Sequence, residues 1–295
     1  MNLESYSIDL NICLGEDFSE YEFSEEGIPL TRFNRKPDWQ HNPITVCQYG
    51  LHHFIRYLKT QDEKSKEIFL IQAEWLANHA EKGIDDSVVW YYRVEVPLYK
   101  ISGPWISGMA QGEAISLMLR AYQLTENKKY LEIAHGAWKC FNIPVAKGGI
   151  ISYFPDGKPV IEEYPSPKYL TAVLNGFIFG IVGVYEYGKA TNDNEANDFY
   201  LKLIDSLKHN LERYDCGYWS YYDLKPPLRL ASKAYHRLHI EQLNVLYEMT
   251  GEEIFKIYRD KWRKYLSSSQ CNLRWLIRKV YQKLFFPILK KLKYP

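Results

Sequence analysis

A four-residue pattern that recurs at long, even intervals constrains this chain more than any other feature. The segments 57–60, 122–125 and 247–250 each read Tyr-x-x-Thr, and 187–190 is a weaker copy. Their tyrosines follow one another at intervals of 65, 65 and 60 residues. Most solenoid repeats are shorter than about 50 residues, so each unit must contain more than one helix pair.

Each copy of the pattern has the same surroundings. In the second copy, Ile115, Leu119 and Tyr122 recur at helical spacing before the motif, a polar turn follows at 126–129, and a new helical stripe begins at Tyr130. This layout predicts a helical hairpin. Four such hairpins predict a mainly α fold, a partial α/α toroid.

Short segments without helical periodicity separate the hairpins. Residues 88–99 are rich in Val and Tyr, 148–163 carry Gly-Gly and Asp-Gly, and 217–233 contain two adjacent prolines. We expect β-hairpin inserts that build a cleft at one end of the ring. The chain then divides into an N-terminal β/loop segment (1–43), the toroid (44–266) and a basic amphipathic tail (267–295).

Composition excludes several classes of protein. With 46% hydrophobic and 25% charged residues the chain is an ordinary globular one. The 37 basic and 36 acidic side chains nearly cancel, so the net charge says little about nucleic acid, and no nucleic-acid partner is expected. No apolar run is long enough to span a membrane, and the N-terminus does not resemble a signal peptide. Five scattered cysteines fit a reducing compartment.

Two clusters could carry chemistry. Glu162 and Glu163 adjoin Tyr164 and Pro165, although a solvated loop would look similar. The second cluster, around the third insert and the next helix, combines tyrosines, bases and histidines within about twenty positions: Tyr222, Lys225, Arg229, Tyr235, His236 and His239. The two histidines share a helix face but lack a third metal ligand, so a structural pair is favoured over a metal site.

Several short motifs in a fixed order resemble the glucuronyl C5-epimerase family, whose members modify uronic acids within polysaccharides such as heparosan. They cover roughly residues 104–266 and lie at 104–112, 119–122, 162–165, 173–177, 222–224, 235–236, 239–240 and 242–243. A weaker match lies at 42–51. The resemblance implies an isomerase that needs no cofactor and binds an acidic polysaccharide.

The same resemblance implies roles for individual residues. Glu163 and Tyr235 match the two acid/base groups, and Tyr164 and Tyr222 match supporting tyrosines. Removing a proton next to a carboxylate builds negative charge, so cations or hydrogen-bond donors must neutralise it. The candidates for substrate binding are Lys225, Arg229, His236, His239, Gln111 and Asn175. A nearby cation is also expected to lower the pKa of the catalytic tyrosine.

The chain departs from the family pattern in four places. Glu113 stands where the family has Gln, and Lys225 where it has Arg. The family's long β-rich N-terminal region is mostly absent, and the tail after Leu266 has no family counterpart. These departures bear on the choice of substrate more than on the class of reaction.

Two other classes of function stay open at the level of sequence. A polysaccharide lyase begins with the same proton abstraction, and a glycoside hydrolase needs a carboxyl pair. Glu162 and Glu163 would point to opposite faces of a strand, which argues against them as that pair. A glycan-binding subunit of an assembly complex would need no catalysis at all.

The tail carries seven bases and no acid after Ser267. As a helix, 272–292 aligns Leu273, Leu276, Ile277, Val280, Leu284 and Ile288 in one apolar stripe with bases outside it. This pattern predicts contact with an anionic membrane from the cytoplasmic side. The alternative is a last helix whose stripe packs on the toroid. Exposed aromatic surface would also suit a homodimer.

Overall fold

The computed structural model describes residues 3, 5–14, 18, 21–32 and 39–285. The N-terminal part contains a short helix, α1 (Asn11–Leu14), and a three-stranded antiparallel sheet. Its strands are β1 (Glu22–Phe23), β2 (Pro29–Arg32) and β3 (Trp39–His41).

Four helical hairpins follow. Their first helices each span 18 residues: α2 (Pro43–Thr60), α4 (Gly108–Thr125), α6 (Leu174–Thr191) and α8 (Lys233–Thr250). Their second helices are α3 (Glu63–Asn78), α5 (Lys128–Lys139), α7 (Asn194–Asn210) and α9 (Glu253–Ser267). Helix α4 packs between α2 and α6, and α6 also packs on α8. The fold is the partial α/α toroid that the repeat predicts. Each repeat unit holds one helix pair together with a short insert, so the expectation of more than one helix pair per unit is wrong.

The repeated motif marks the end of each first helix. Thr60, Thr125, Thr191 and Thr250 are the last residues of their helices, and each hydroxyl donates to the carbonyl four residues earlier. The next residue in each copy adopts a left-handed conformation, which stops the helix. In three copies an Asp or Asn then caps the second helix, namely Asp62, Asn127 and Asp193.

This repeated turn yields a stability prediction. Exposed Glu126 occupies the left-handed position with φ of 57°, where the fourth hairpin uses Gly251 with φ of 70°. A side chain strains this conformation, so Glu126→Gly should raise the free energy of unfolding by about 0.5–1 kcal/mol in urea titrations. Gly251→Ala, the matched control, should lower it. A loss of stability in Glu126→Gly would contradict this account of the turn.

Three small antiparallel hairpins lie between the helical ones. Strand β4 (Glu81–Lys82) pairs with β5 (Val88–Val89), and β6 (Tyr91–Tyr92) pairs with β7 (Trp105–Ile106). Strands β8 (Ile151–Tyr153) and β9 (Pro159–Ile161) pair through Ile151 and Ile161. The hairpin expected in 148–163 is therefore confirmed. The other two inserts form no hairpin of their own, because the strands in 88–99 pair with partners outside it and 217–233 has only isolated bridges, such as the one between Tyr221 and Leu230.

Helices α4 and α6 are in unusually close contact. A Cβ atom on Gly183 would lie 2.4 Å from the Cα atom of Gly112, so only glycine fits there. One turn beyond Gly183, Arg120 and Glu186 form a buried ion pair in which two guanidinium nitrogens donate to the two carboxylate oxygens, both at 2.7 Å.

The tail begins as helix α10 (Ser269–Phe285), and the predicted continuation to residue 292 lies outside the described residues. Trp275 and Gln282 hydrogen-bond to the carbonyls of Ala231 and Leu228 in the third insert. The apolar stripe does not pack: Leu273, Leu276, Ile277, Val280 and Leu284 are all about half exposed or more. For these five residues the alternative in which the stripe packs on the toroid is therefore wrong, and Ile288 lies outside the described residues.

Candidate active site

A cavity of about 330 Å³ lies where the N-terminal ends of the four first helices meet. Every one of these helices contributes residues from its first turns, and the N-terminal segment and the loop after β9 complete the wall. The lining residues are Cys13, Tyr21, Asn42, Ile44, Gln48, Met109, Glu163, Tyr164, Asn175, Ala234, Tyr235 and Leu238. Four of the ten predicted site residues are among them: Glu163, Tyr164, Asn175 and Tyr235.

Glu163 follows β9 and lies against the first turn of α6. The approach is so close that a Cβ atom on Gly176 would fall 2.5 Å from its Oε2 atom. Asn175 donates to the same oxygen at 3.4 Å. Burial raises the pKa of Glu163 to about 8, and hydrogen bonds from Tyr164 and Asn175 oppose this only in part. Its carboxyl group can therefore exchange a proton near neutral pH.

Tyr235 lies in the first turn of α8, which Ser232 caps by accepting from the Tyr235 amide. Its ring meets that of Tyr222 edge to face, with centroids 4.9 Å apart. Burial raises the pKa of Tyr235, and the charge of Glu163 raises it further. The expectation that a cation lowers this pKa is wrong, because burial dominates. Tyr235 holds its proton and is suited to donate it.

Behind the cavity lies a buried cluster that positions its tyrosines. Arg229 pairs with Asp223 and donates to the Tyr99 hydroxyl, which itself donates to Asp223. The guanidinium lies over the Tyr222 ring, 5.1 Å from the centroid, and Tyr99 stacks on Tyr164 at 4.8 Å. Arg229 thus supports two site tyrosines while its charge is paired with Asp223.

Four further predicted binding residues do not line the cavity. Lys225 donates to the Pro226 carbonyl and lies over the Tyr169 ring. Gln111 is buried and donates to the Val88 carbonyl.

The other two predicted binding residues that do not line the cavity are the histidines of α8. His236 and His239 both contact the Ser220 hydroxyl, and His236 stacks on Trp219 with centroids 4.0 Å apart. Both rings are fully buried, which lowers the pKa of His236 to about 4 and that of His239 as well. They are neutral core groups at neutral pH.

The cavity also contains residues that sequence reasoning did not single out. Asn42, Ile44 and Gln48 come from the start of α2, within the weaker motif match at 42–51, which was the available signal. Cys13 and Tyr21 come from the N-terminal segment, where no motif marks them. Asn175 keeps its buried Oδ1 atom without a hydrogen-bond partner within the described part of the chain.

Gln48 links the cavity to Glu113, the residue that departs from the family pattern. Its side-chain amide donates to Oε1 of Glu113 at 2.8 Å. Glu113 is fully buried, and burial raises its pKa well above the usual carboxyl range. A protonated carboxyl group has nearly the shape and charge of the glutamine amide, so the departure preserves this contact.

The buried carboxyl group of Glu113 should make the free energy of unfolding depend on pH. The folded protein keeps the Glu113 proton at pH values where the unfolded chain has lost it, so wild-type stability falls as the pH rises above the ordinary carboxyl range. Glu113→Gln removes this pH dependence, because glutamine does not ionise. The free energy of unfolding of Glu113→Gln relative to wild type should therefore increase with pH, by at most about 1.4 kcal/mol per pH unit. Urea unfolding from about pH 5 to about pH 8 measures this difference. A pH-independent difference would contradict a protonated Glu113.

Across the residues that the structure describes, no three His, Cys, Asp or Glu side chains come together as a metal site. The chemistry that the cavity offers is proton transfer. Its described lining has one carboxyl group, tyrosine hydroxyls, and neutral donors from Asn and Gln.

Comparison with known proteins identifies close relatives. A family model described as the C-terminus of D-glucuronyl C5-epimerase matches residues 84–264. An uncharacterized protein of Methanocaldococcus jannaschii is 33% identical over 244 residues, covering 77% of this chain and 78% of that protein. The D-glucuronyl C5-epimerase of Caenorhabditis elegans is 31% identical over 224 residues, covering 69% of this chain.

This chain spans 35% of the length of the Caenorhabditis elegans protein, about a third. Among solved structures, a GH76 α-mannanase of Bacteroides thetaiotaomicron matches with a TM-score of 0.53 at 11% identity, covering 80% of this chain and 61% of that one. At this identity the likeness shows a shared fold alone.

Proposed function

The chain belongs to the family of D-glucuronyl C5-epimerase C-terminal regions, and from this premise we propose that it converts D-glucuronate to L-iduronate residues within an acidic polysaccharide. The observation that carries the proposal is the presence of Glu163 and Tyr235 in one cavity with different tendencies to ionise. Epimerisation at C5 needs a base on one face of the sugar ring and an acid on the other.

Glu163 is the base in this proposal, because its carboxyl group ionises more readily than the buried hydroxyl of Tyr235. Its ionised form takes the C5 proton, and the electron pair of the broken C–H bond moves toward the substrate carboxylate. Tyr235 then gives its proton to C5 from the opposite face. Proton exchange with solvent then returns Glu163 and Tyr235 to their starting states. The substrate has lost one proton from C5 and gained another on the opposite face.

The intermediate carries extra negative charge on the substrate carboxylate, and the cavity offers neutral donors to stabilise it. Among the described lining residues no Lys or Arg occurs, whereas Asn42, Gln48 and Asn175 supply amide groups. The positive N-terminal ends of four helices also converge there. Donors held in a closed, low-dielectric site are stronger than the same groups in water.

The hydrolase alternative needs two carboxyl groups on the cavity, and the described lining contains one. Glu162 is buried, and its oxygens accept from the backbone amides of Thr171 and Ala172 at 3.0 and 2.8 Å. It therefore anchors the start of α6. The lyase alternative shares the first step and is distinguished by its product.

Proton NMR of a glucuronate polymer incubated with the full chain in deuterium oxide tests the proposal. The expected result is loss of the C5 proton signal of glucuronate together with new iduronate signals. Unsaturated ends would indicate a lyase, new reducing ends a hydrolase, and absence of exchange a binding protein. Each of these three results contradicts the proposed epimerase.

The pH profile of the exchange rate is a further prediction. Glu163 has a pKa of about 8 and must be ionised to act as the base. The value of kcat/KM should therefore rise about tenfold per pH unit below this pKa and level off above it. Deuterium exchange measured from about pH 6 to about pH 9 checks this. A profile that falls over this range would reverse the assigned roles.

A further inference from the structure

Helix α10 has two faces with opposite surroundings. One face holds the helix on the third insert: Trp275 donates to the Ala231 carbonyl at 2.9 Å, and Gln282 donates to the Leu228 carbonyl at 3.0 Å. Lys233 lies over the Trp275 ring, 5.3 Å from its centroid. These contacts fix the orientation of the helix, so its other face is held outward.

The outward face is apolar. At 100° per residue, its side chains lie opposite Trp275 and Gln282 and form one continuous stripe. Their exposed fractions are 58% for Leu273, 51% for Leu276, 61% for Ile277, 49% for Val280 and 57% for Leu284. A helix of a globular protein normally buries such a stripe, and contiguous exposed patches mark interaction sites.

Charge indicates what covers this face. Arg274 and Arg278 lie on one flank of the helix, outside the stripe, and are exposed, with their guanidinium groups over the rings of Tyr218 and Tyr281. No acid follows Ser267 in the sequence. In a two-fold contact with a second copy, these bases would meet each other with no carboxylate on the helix to pair with them. An anionic lipid surface instead takes up both the apolar side chains and the positive charge.

We propose that α10 is an interfacial helix that docks this protein on bilayers containing anionic phospholipids, with the stripe Leu273, Leu276, Ile277, Val280 and Leu284 in the acyl boundary. No helix in the described ranges is long and apolar enough to cross a bilayer. Docking would hold the third insert, and with it the end of the toroid that contains the cavity, at the membrane surface. This inference does not depend on the proposed activity.

Co-sedimentation of the full chain with vesicles tests the proposal. Vesicles of phosphatidylcholine with phosphatidylglycerol should bind the protein, vesicles of phosphatidylcholine alone should bind it far less, and added salt should release it. The double variant Leu273→Asn/Ile277→Asn should lower the partition coefficient roughly tenfold or more. Arg274→Gln/Arg278→Gln should lower it on anionic vesicles only.

The matched control is Leu201→Asn/Ile257→Asn, which changes two aliphatic side chains of similar exposure, 62% and 56%, on α7 and α9. It should bind as wild type does. Absence of binding to anionic vesicles, equal binding to both vesicle types, or equal loss in the control would overturn the proposal. So would a dimer in sedimentation velocity that Leu273→Asn/Ile277→Asn dissociates, since a second copy would then cover the stripe.

Discussion

Replacing Glu163 with glutamine is expected to lower the rate of C5 exchange by about 10²–10⁴-fold, because a single acid/base group contributes that much to catalysis. The fold should persist. With a pKa of about 8 the carboxyl group is mostly protonated at neutral pH, and glutamine has a similar shape and no charge. Tyr235→Phe should cause a comparable loss by removing the donor hydroxyl. Deuterium exchange into a glucuronate polymer measures both.

Two exposed residues provide matched controls for these variants. Tyr153 on β8 is 55% exposed, and Glu63 in the first turn of α3 is also at the surface. Tyr153→Phe and Glu63→Gln make the same chemical changes and should leave the exchange rate unchanged. If Glu163→Gln and Tyr235→Phe both turn over at near wild-type rates while binding the polymer, the assignment of the acid/base pair is wrong.

The second large effect concerns stability. Glu186→Gln is expected to lower the free energy of unfolding by about 3–5 kcal/mol, because it leaves the Arg120 charge buried without its partner. The Arg120 side chain is 1% exposed and that of Glu186 is 7% exposed, so water cannot replace the lost carboxylate. Urea denaturation gives the free energy of unfolding directly.

A double variant separates the charge from the packing. Arg120→Met/Glu186→Leu removes both charges and fills similar volume, so it should regain most of the stability that Glu186→Gln loses. If Glu186→Gln instead costs less than about 1 kcal/mol, the pair contributes no more than a surface ion pair does.

The sequence predicts the architecture well because its signal is local. The helix ends at Thr60 and Thr125 depend on a threonine hydroxyl, a left-handed residue and a capping side chain within a few positions of one another. Such local chemistry can be recognised without knowing the rest of the fold.

The site is only partly predictable, because neighbours in sequence need not share a helix face. Tyr235 and Leu238 face the cavity, whereas His236, rotated by about 100° from Tyr235, faces Trp219. Similarly, Met109 lines the cavity, and Gln111 points to the Val88 carbonyl. The raised pKa of Tyr235 also depends on burial, which a sequence does not reveal before the fold is known.

The position of α1 has a consequence for the order in which this molecule is built. Helix α1 lies against α2 and against α8, and it brings Cys13 into the same cavity wall as Tyr235. Ribosomes add about 5–20 residues per second, so Tyr235 is synthesised on the order of ten to forty seconds after Cys13. The first three hairpins can pack during that time through contacts close in sequence. The cavity is thus completed only once α8 has been synthesised, and a nascent chain that has folded three hairpins lacks the part of the cavity wall that Ala234, Tyr235 and Leu238 supply.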